Sequence, residues 1–165
     1  MSNEVKTNST VRLVTRFLSF IHPPLRMWSG CALLAVDTIR LFIVEKNSKV
    51  RQALEARLSS SSRIEVVGTT QDAEEGMRKH TELKPDVVLL DAKTAGRPES
   101  VADVVRELDE LGPSVIVLTS YAFETEREAA LDSGAAQYLL KDIDSEALIR
   151  EIESIGKSRI QETKD

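Results

Sequence analysis

The sequence predicts an α/β domain with a doubly wound, five-stranded parallel sheet and helices on both faces. Three observations predict it. From Thr38 onward, apolar runs of strand length alternate five times with stretches of helical periodicity. The runs are almost wholly apolar, as strands buried on both faces must be. Glycine and proline punctuate the joins between them.

The elements follow in order. Ile39–Val44 is the first strand, and Ser48–Leu58 is a helix with Val50, Ala53, Leu54 and Leu58 on one face. After the Ser59–Ser62 loop, Ile64–Val67 is the second strand, closed by Gly68. Asp72–Lys84 is helical and Pro85 ends it. Val87–Leu90 is a short, continuous apolar strand. A loop over 92–98 leads to the helix Ser100–Leu111, with Val101, Val104, Val105, Leu108 and Leu111 at helical spacing; Gly112-Pro113 stops it. Val115–Leu118 is the fourth strand, Phe123–Asp132 the fourth helix, and Gly134 fits a left-handed C-cap. Tyr138–Leu140 is a short fifth strand. Asp144–Ile155 is the last helix, capped by Asp144 or Ser145 and stopped by Gly156.

Composition narrows the function. The 165 residues carry 22 Lys+Arg and 27 Asp+Glu, a net charge of −5, so bulk attraction to nucleic acid is not expected. A single cysteine, Cys31, excludes an internal disulfide framework and a cysteine-based zinc site. The charge is uneven. Four basic side chains against Glu4 give residues 1–36 a charge of +3; the remaining 18 basic and 26 acidic side chains give −8. The chain therefore divides into a basic N-terminal extension over 1–36, flexible or weakly helical, a domain over 37–157 and a short C-terminal tail over 158–165.

Within the extension, Val11–Ile21 has an amphipathic pattern, but it is too short and charged for a span that needs ~20 apolar residues. His22-Pro23-Pro24 stops any helix there. Three readings remain open: a plain tail, a partner or membrane-surface helix, and a true start further downstream. Membrane contact is the less expected of these.

In a sheet of this kind the functional crevice lies beyond the carboxyl ends of the strands. There stand Glu45-Lys46, Asp91, Thr119-Ser120 and Lys141. A carboxylate, a hydroxyl and an ammonium on one rim suit an anion-transfer site. Asp91 can act as a nucleophile toward a phosphoryl group, with Lys141 and Thr119 stabilising the transferred oxygens.

Residues 38–156 resemble the receiver domain of two-component response regulators. The resemblance is carried by IVEKN at 43–47, VVLLD at 87–91, VIVLTS at 115–120 and SGAAQYLLKD at 133–142. It implies a flavodoxin-like (βα)5 receiver fold with strand order 2-1-3-4-5. It matches Asp91 to the phosphoacceptor, Thr119 to the switch hydroxyl, Tyr138 to the aromatic that swings inward with it, and Lys141 to the lysine that contacts the aspartyl phosphate. The wording is similar to receivers that carry a C-terminal helix-turn-helix DNA-binding domain. This chain ends a short tail past its last predicted helix, so a single-domain receiver is expected, with no direct nucleic-acid binding. The implied partners are a sensor histidine kinase or phosphotransfer protein, a downstream protein meeting the face of the fourth helix, fifth strand and fifth helix, and a second copy in a homodimer. The implied location is cytoplasmic, and the work is switching or binding, not substrate turnover.

One departure matters. The family usually places two acids after the first strand, and these hold Mg²⁺ together with the phosphoacceptor. Here the positions are Glu45 and Lys46. An ammonium has no lone pair to give a metal, and Mg²⁺ demands octahedral oxygen ligands at ~2 Å. Glu45 and Asp91 are the remaining candidate metal ligands, for weak or absent Mg²⁺ binding. Counting Lys46 and Lys141 against Glu45 and Asp91 makes this degenerate acidic pocket neutral. The loop over 92–98 also lacks the family's usual Met-Pro pair.

Two functions follow. In one, Asp91 accepts a phosphoryl group and switches a partner-binding face. In the other, a Lys46–Asp91 pair holds the pocket shut in a phosphorylation-independent pseudo-receiver. A phosphatase of the haloacid dehalogenase type is rejected, because its second aspartate position is Lys93. Nucleotide binding is rejected for want of glycine in Asn47-Ser48-Lys49.

Overall fold

A computed structural model describes residues 37–95 and 101–164. The extension over 1–36 and the Gly96–Pro98 part of the 92–98 loop lie outside the described residues. The order of elements is β1 (Ile39–Val44), α1 (Ser48–Leu58), β2 (Ile64–Thr70), α2 (Ala73–Leu83), β3 (Val87–Asp91), a 3₁₀ turn (Ala92–Ala95), α3 (Val101–Leu111), β4 (Ser114–Thr119), α4 (Glu124–Asp132), β5 (Ala135–Leu140) and α5 (Ser145–Lys164).

The five strands form one parallel sheet in the order β2-β1-β3-β4-β5. Alternation along each strand sends successive side chains to opposite faces. Phe42, Val44, Val88, Leu90, Val115 and Val117 pack on one side with α2, α3 and α4. Ile39, Leu41, Ile43, Leu89, Ile116 and Leu118 pack on the other with α1 and α5. Every residue of β3 is buried, which explains its unbroken apolar run before Asp91.

Polar residues set the helix starts. Asn47 Oδ1 accepts the N–H groups of Lys49 and Val50, Asp72 Oδ1 that of Glu75, and Asp144 Oδ2 those of Glu146 and Ala147. Asp72 therefore caps α2 from just outside it, whereas Phe123 holds the N-cap position of α4 without a side-chain hydrogen bond. Gly134 has φ +104 immediately after α4, as a left-handed terminus requires.

Three sequence expectations change. Strand β2 runs through Gly68 to Thr70, because Gly68 lets Phe42 and Leu83 close over it; a Cβ there would lie 3.0 Å from each. Strand β5 starts at Ala135, ahead of its aromatic residue. Gly156 does not stop the last helix, and residues 158–164 are helical rather than a tail. A Cβ at Gly156 would meet the Ile39 side chain at 2.6 Å, so this glycine serves close helix–sheet packing. Burial of Ile152 and packing of Ile155 and Ile160 outweigh its ~1 kcal/mol helix penalty.

Register fixes the site. Val44 pairs with Leu90, Asp91 with Leu118, and Thr119 with Leu140. The strand ends that carry Glu45, Asp91, Thr119 and Lys141 are thus neighbours along one edge of the domain.

Candidate functional site

Glu45 and Asp91 follow apolar strands directly, and both are almost fully buried, at 2% and 4% exposure. Two isolated carboxylates at that depth are unfavourable unless paired and hydrogen-bonded. Lys141 supplies the pairing. Its Nζ lies 2.5 Å from Glu45 Oε2 and 2.8 Å from Asp91 Oδ1. Burial works against the Lys141 ammonium, but its bonds to Asp91 and Glu45 and their charges outweigh burial and hold its pKa above the ordinary lysine value.

The remaining acceptor capacity is also used. Glu45 Oε1 accepts the Asn47 N–H at 2.8 Å. Asp91 Oδ1 accepts the Lys93 N–H at 3.3 Å, and Asp91 Oδ2 accepts the Thr94 hydroxyl at 3.0 Å. Thr94 Oγ1 in turn accepts the Lys46 N–H at 3.0 Å. Thr94 thus ties the ends of β1 and β3 together. The sequence reading missed it, although an Asp followed by a Thr three residues on, at a strand end, is a signal for a local side-chain turn.

Lys46 is not where the charge count placed it. Its side chain is exposed, and among the described residues the cation paired with Asp91 is Lys141. β1 ends at Val44 and the chain bends at Lys46, whose N–H is held by Thr94 Oγ1 while its side chain is exposed. Lys93 also turns outward, its Nζ 5.3 Å from the centroid of the Tyr121 ring. The pocket therefore holds two carboxylates against one ammonium, a net charge of −1 rather than zero.

The donor set does not fit Mg²⁺. Both carboxylates are bound to the Lys141 ammonium, Lys46 stands where a third would be needed, and among the described residues no three acids, histidines or cysteines cluster as metal ligands.

Thr119 and Tyr138, the residues that the resemblance matches to a switch, lie on the neighbouring strands β4 and β5. The buried Thr119 hydroxyl donates to the Tyr121 carbonyl at 2.9 Å. Tyr138 is buried at 8% exposure, and its hydroxyl donates to Glu126 Oε1 of α4 at 2.6 Å. Burial and the Glu126 carboxylate push the Tyr138 phenol up to about 12, against a smaller downward pull from Thr119. By contrast Tyr121, Phe123 and Leu140 are exposed beside α4 and β5, at 65%, 62% and 40%.

Comparisons with known proteins bear on the family and the fold. The family model for the response regulator receiver domain matches residues 41–153. The transcriptional regulatory protein LiaR of Bacillus subtilis is 37% identical over 105 residues, covering 62% of this chain and 49% of that protein. The response regulator protein VraR of Staphylococcus aureus is 34% identical over 106 residues, covering 63% and 50%. The chain spans about half the length of these curated relatives. Among solved structures, the signal receiver domain of NarL from Mycobacterium tuberculosis superposes with a TM-score of 0.68 at 25% identity, over 73% of this chain and 98% of that one. A DNA-binding response regulator of the LuxR family from Staphylococcus aureus gives a TM-score of 0.65 at 25% identity, over 72% and 98%. No described helix is long and apolar enough to cross a membrane. The sheet order, the aspartate at the end of β3 and the family match over most of the chain agree: this chain belongs to the response regulator receiver domains of two-component signalling.

Proposed function

We propose that this receiver is a phosphorylation-independent interaction module: it presents a standing binding face and does not carry out Mg²⁺-dependent phosphoryl transfer. The observation that carries this is the Lys141 ammonium bridging Glu45 and Asp91, with Lys46 turned away from the pocket. Both Asp91 carboxylate oxygens already have partners, and the residue is almost fully buried. An internal cation stands in electrostatically for the ion, but cannot orient a phosphodonor through open coordination positions.

The face around α4, β5 and α5 supports the same reading. Tyr138 is buried, and Tyr121, Phe123 and Leu140 offer apolar surface to a downstream protein or a second copy. In this reading the domain acts in the cytoplasm, turns over no substrate and makes no direct contact with nucleic acid.

One observation favours a second reading. Lys141 lies 2.8 Å from Asp91, and Thr119 ends the neighbouring strand, which is the placement a phosphoacceptor with its stabilising lysine and switch hydroxyl would need. The donor would then be a sensor histidine kinase or a phosphotransfer protein. The test is incubation with acetyl phosphate and Mg²⁺, followed by intact-mass measurement. An unchanged mass supports the interaction module. A phosphoryl adduct that disappears in Asp91→Asn overturns it in favour of the second reading.

A further inference from the structure

Two patches of this chain complement each other. The first is the exposed face of Tyr121, Phe123 and Leu140 beside α4. Its border is acidic. Over Glu124–Asp132, four acids stand against Arg127, a charge of −3. Glu124 and Glu128 lie one turn apart on the exposed side of the helix. Arg127 is paired with Glu124, which leaves Glu128 without a cation among the described residues.

The second patch lies on the opposite face of the sheet, where α1 and α5 pack. It is a cavity of about 250 Å³ walled by Leu54, Leu118 and Leu148. That is below the ~300–1,000 Å³ of sites for drug-sized ligands, and suits a side chain better than a cofactor. The charged residues that line it are Lys49, Arg57 and Lys141, and no acid is among them. Lys141 is held by Glu45 and Asp91, and Arg57 donates to the Ile143 carbonyl. Lys49 is exposed and has no acidic partner among the described residues.

Charge selects the occupant. An apolar recess with a basic rim takes an apolar knob with an acidic border, and this chain carries one. A symmetric pairing of two α4 faces would set Glu124 and Glu128 of each copy against those of the other, and like charges oppose it. An apolar patch that meets a pocket elsewhere on the same molecule gives a heterologous contact between copies. We infer that this receiver self-associates by seating Phe123 of one copy in the α1–α5 cavity of another, with Glu124 and Glu128 facing Lys49. A second copy is thus the occupant of the face, and the inference rests on the proposed function in taking that face to be available without phosphorylation.

The test is sedimentation velocity on the whole chain without a phosphodonor, up to about 1 mM, which reaches weak associations. Concentration-dependent association is expected. Ala53 lines the cavity from an exposed position, so Ala53→Phe should fill it and abolish association with an unchanged circular dichroism spectrum. Phe123→Ser should do the same. Lys49→Glu and Glu128→Lys should each weaken association at least about fivefold. An equimolar mixture of these two variants should restore it, because every cavity-to-face contact between them joins opposite charges. A symmetric α4 pair would instead leave Lys49→Glu and Ala53→Phe at full strength. A monomer at every concentration with or without acetyl phosphate, full association by Ala53→Phe, or no recovery on mixing would each overturn the contact and leave the mass test of the proposed function untouched. Association that needs a phosphoryl adduct on Asp91, with recovery on mixing, would keep the contact and overturn the proposed function.

Discussion

The carboxyl end of the sheet carries two regions of opposite character. In the acid pocket, Glu45, Asp91 and Thr94 are buried, Lys141 is partly buried, and their hydrogen bonds and ion pairs run mostly among themselves. On the adjoining α4–β5 face, Tyr121, Phe123 and Leu140 lie open to solvent. The pocket has its stabilising interactions internally and little left to offer a ligand. The face contributes little to the fold and has its apolar area free for a partner. Substitutions should therefore separate the regions: pocket changes should cost stability, and face changes should cost binding.

Lys141→Met should have the largest effect. It leaves two carboxylates buried without a counter-charge, and should destabilise the fold by about 3–5 kcal/mol in urea unfolding. A loss under about 1 kcal/mol would show that Lys141 does not hold the pocket. Thr94→Val comes next. It removes the hydroxyl that links Asp91 Oδ2 to the Lys46 N–H, and should cost about 1–2 kcal/mol by the same measurement.

Tyr138 lies between the two regions and gives a pH test. Its pKa is raised from 10.0 to about 12 in the folded chain, so the unfolded chain loses its proton first as pH rises. The stability it provides is complete below pH 10 and is lost as pH climbs toward 12. Lys141, also raised, acts in the same direction above its ordinary value. Tyr138→Phe should lose about 1 kcal/mol at neutral pH and show a flatter decline above pH 10. An unchanged alkaline slope would remove Tyr138 from the account. The smallest stability effect belongs to the face. Phe123→Ser and Tyr121→Ser should each shift stability by less than about 0.5 kcal/mol, while abolishing self-association or partner capture if this face is the binding surface.

Much of this was legible in the sequence. The fivefold alternation of all-apolar runs with helical periodicity gave the sheet, and the polar residues at the strand ends gave Glu45, Asp91, Thr119 and Lys141. Element ends were less legible where tertiary packing overrides local chemistry. Gly156 reads as a stop by propensity, yet it sits in a helix because Ile39 leaves no room for a Cβ there. The charge count at the pocket failed for a related reason. Sequence adjacency placed Lys46 beside Glu45, whereas the chain bends after β1 and leaves the Lys46 side chain exposed. Thr94 was missed because the Asp-to-Thr spacing that signals a local side-chain turn was not read; a 3₁₀ turn brings its hydroxyl back to Asp91.

The central claim is that Lys141 closes the Glu45–Asp91 pocket and leaves no site for Mg²⁺ or a bound phosphoryl group. The most direct measurement is an NMR titration of the unaltered chain with Mg²⁺ and beryllofluoride, read at Asp91, Thr94, Thr119 and Lys141. The account predicts no saturable shift at these residues, and predicts that a response appears when the acids are restored in the double variant Glu45→Asp, Lys46→Asp. A saturable shift at Asp91 and Thr119 in the unaltered chain would contradict it.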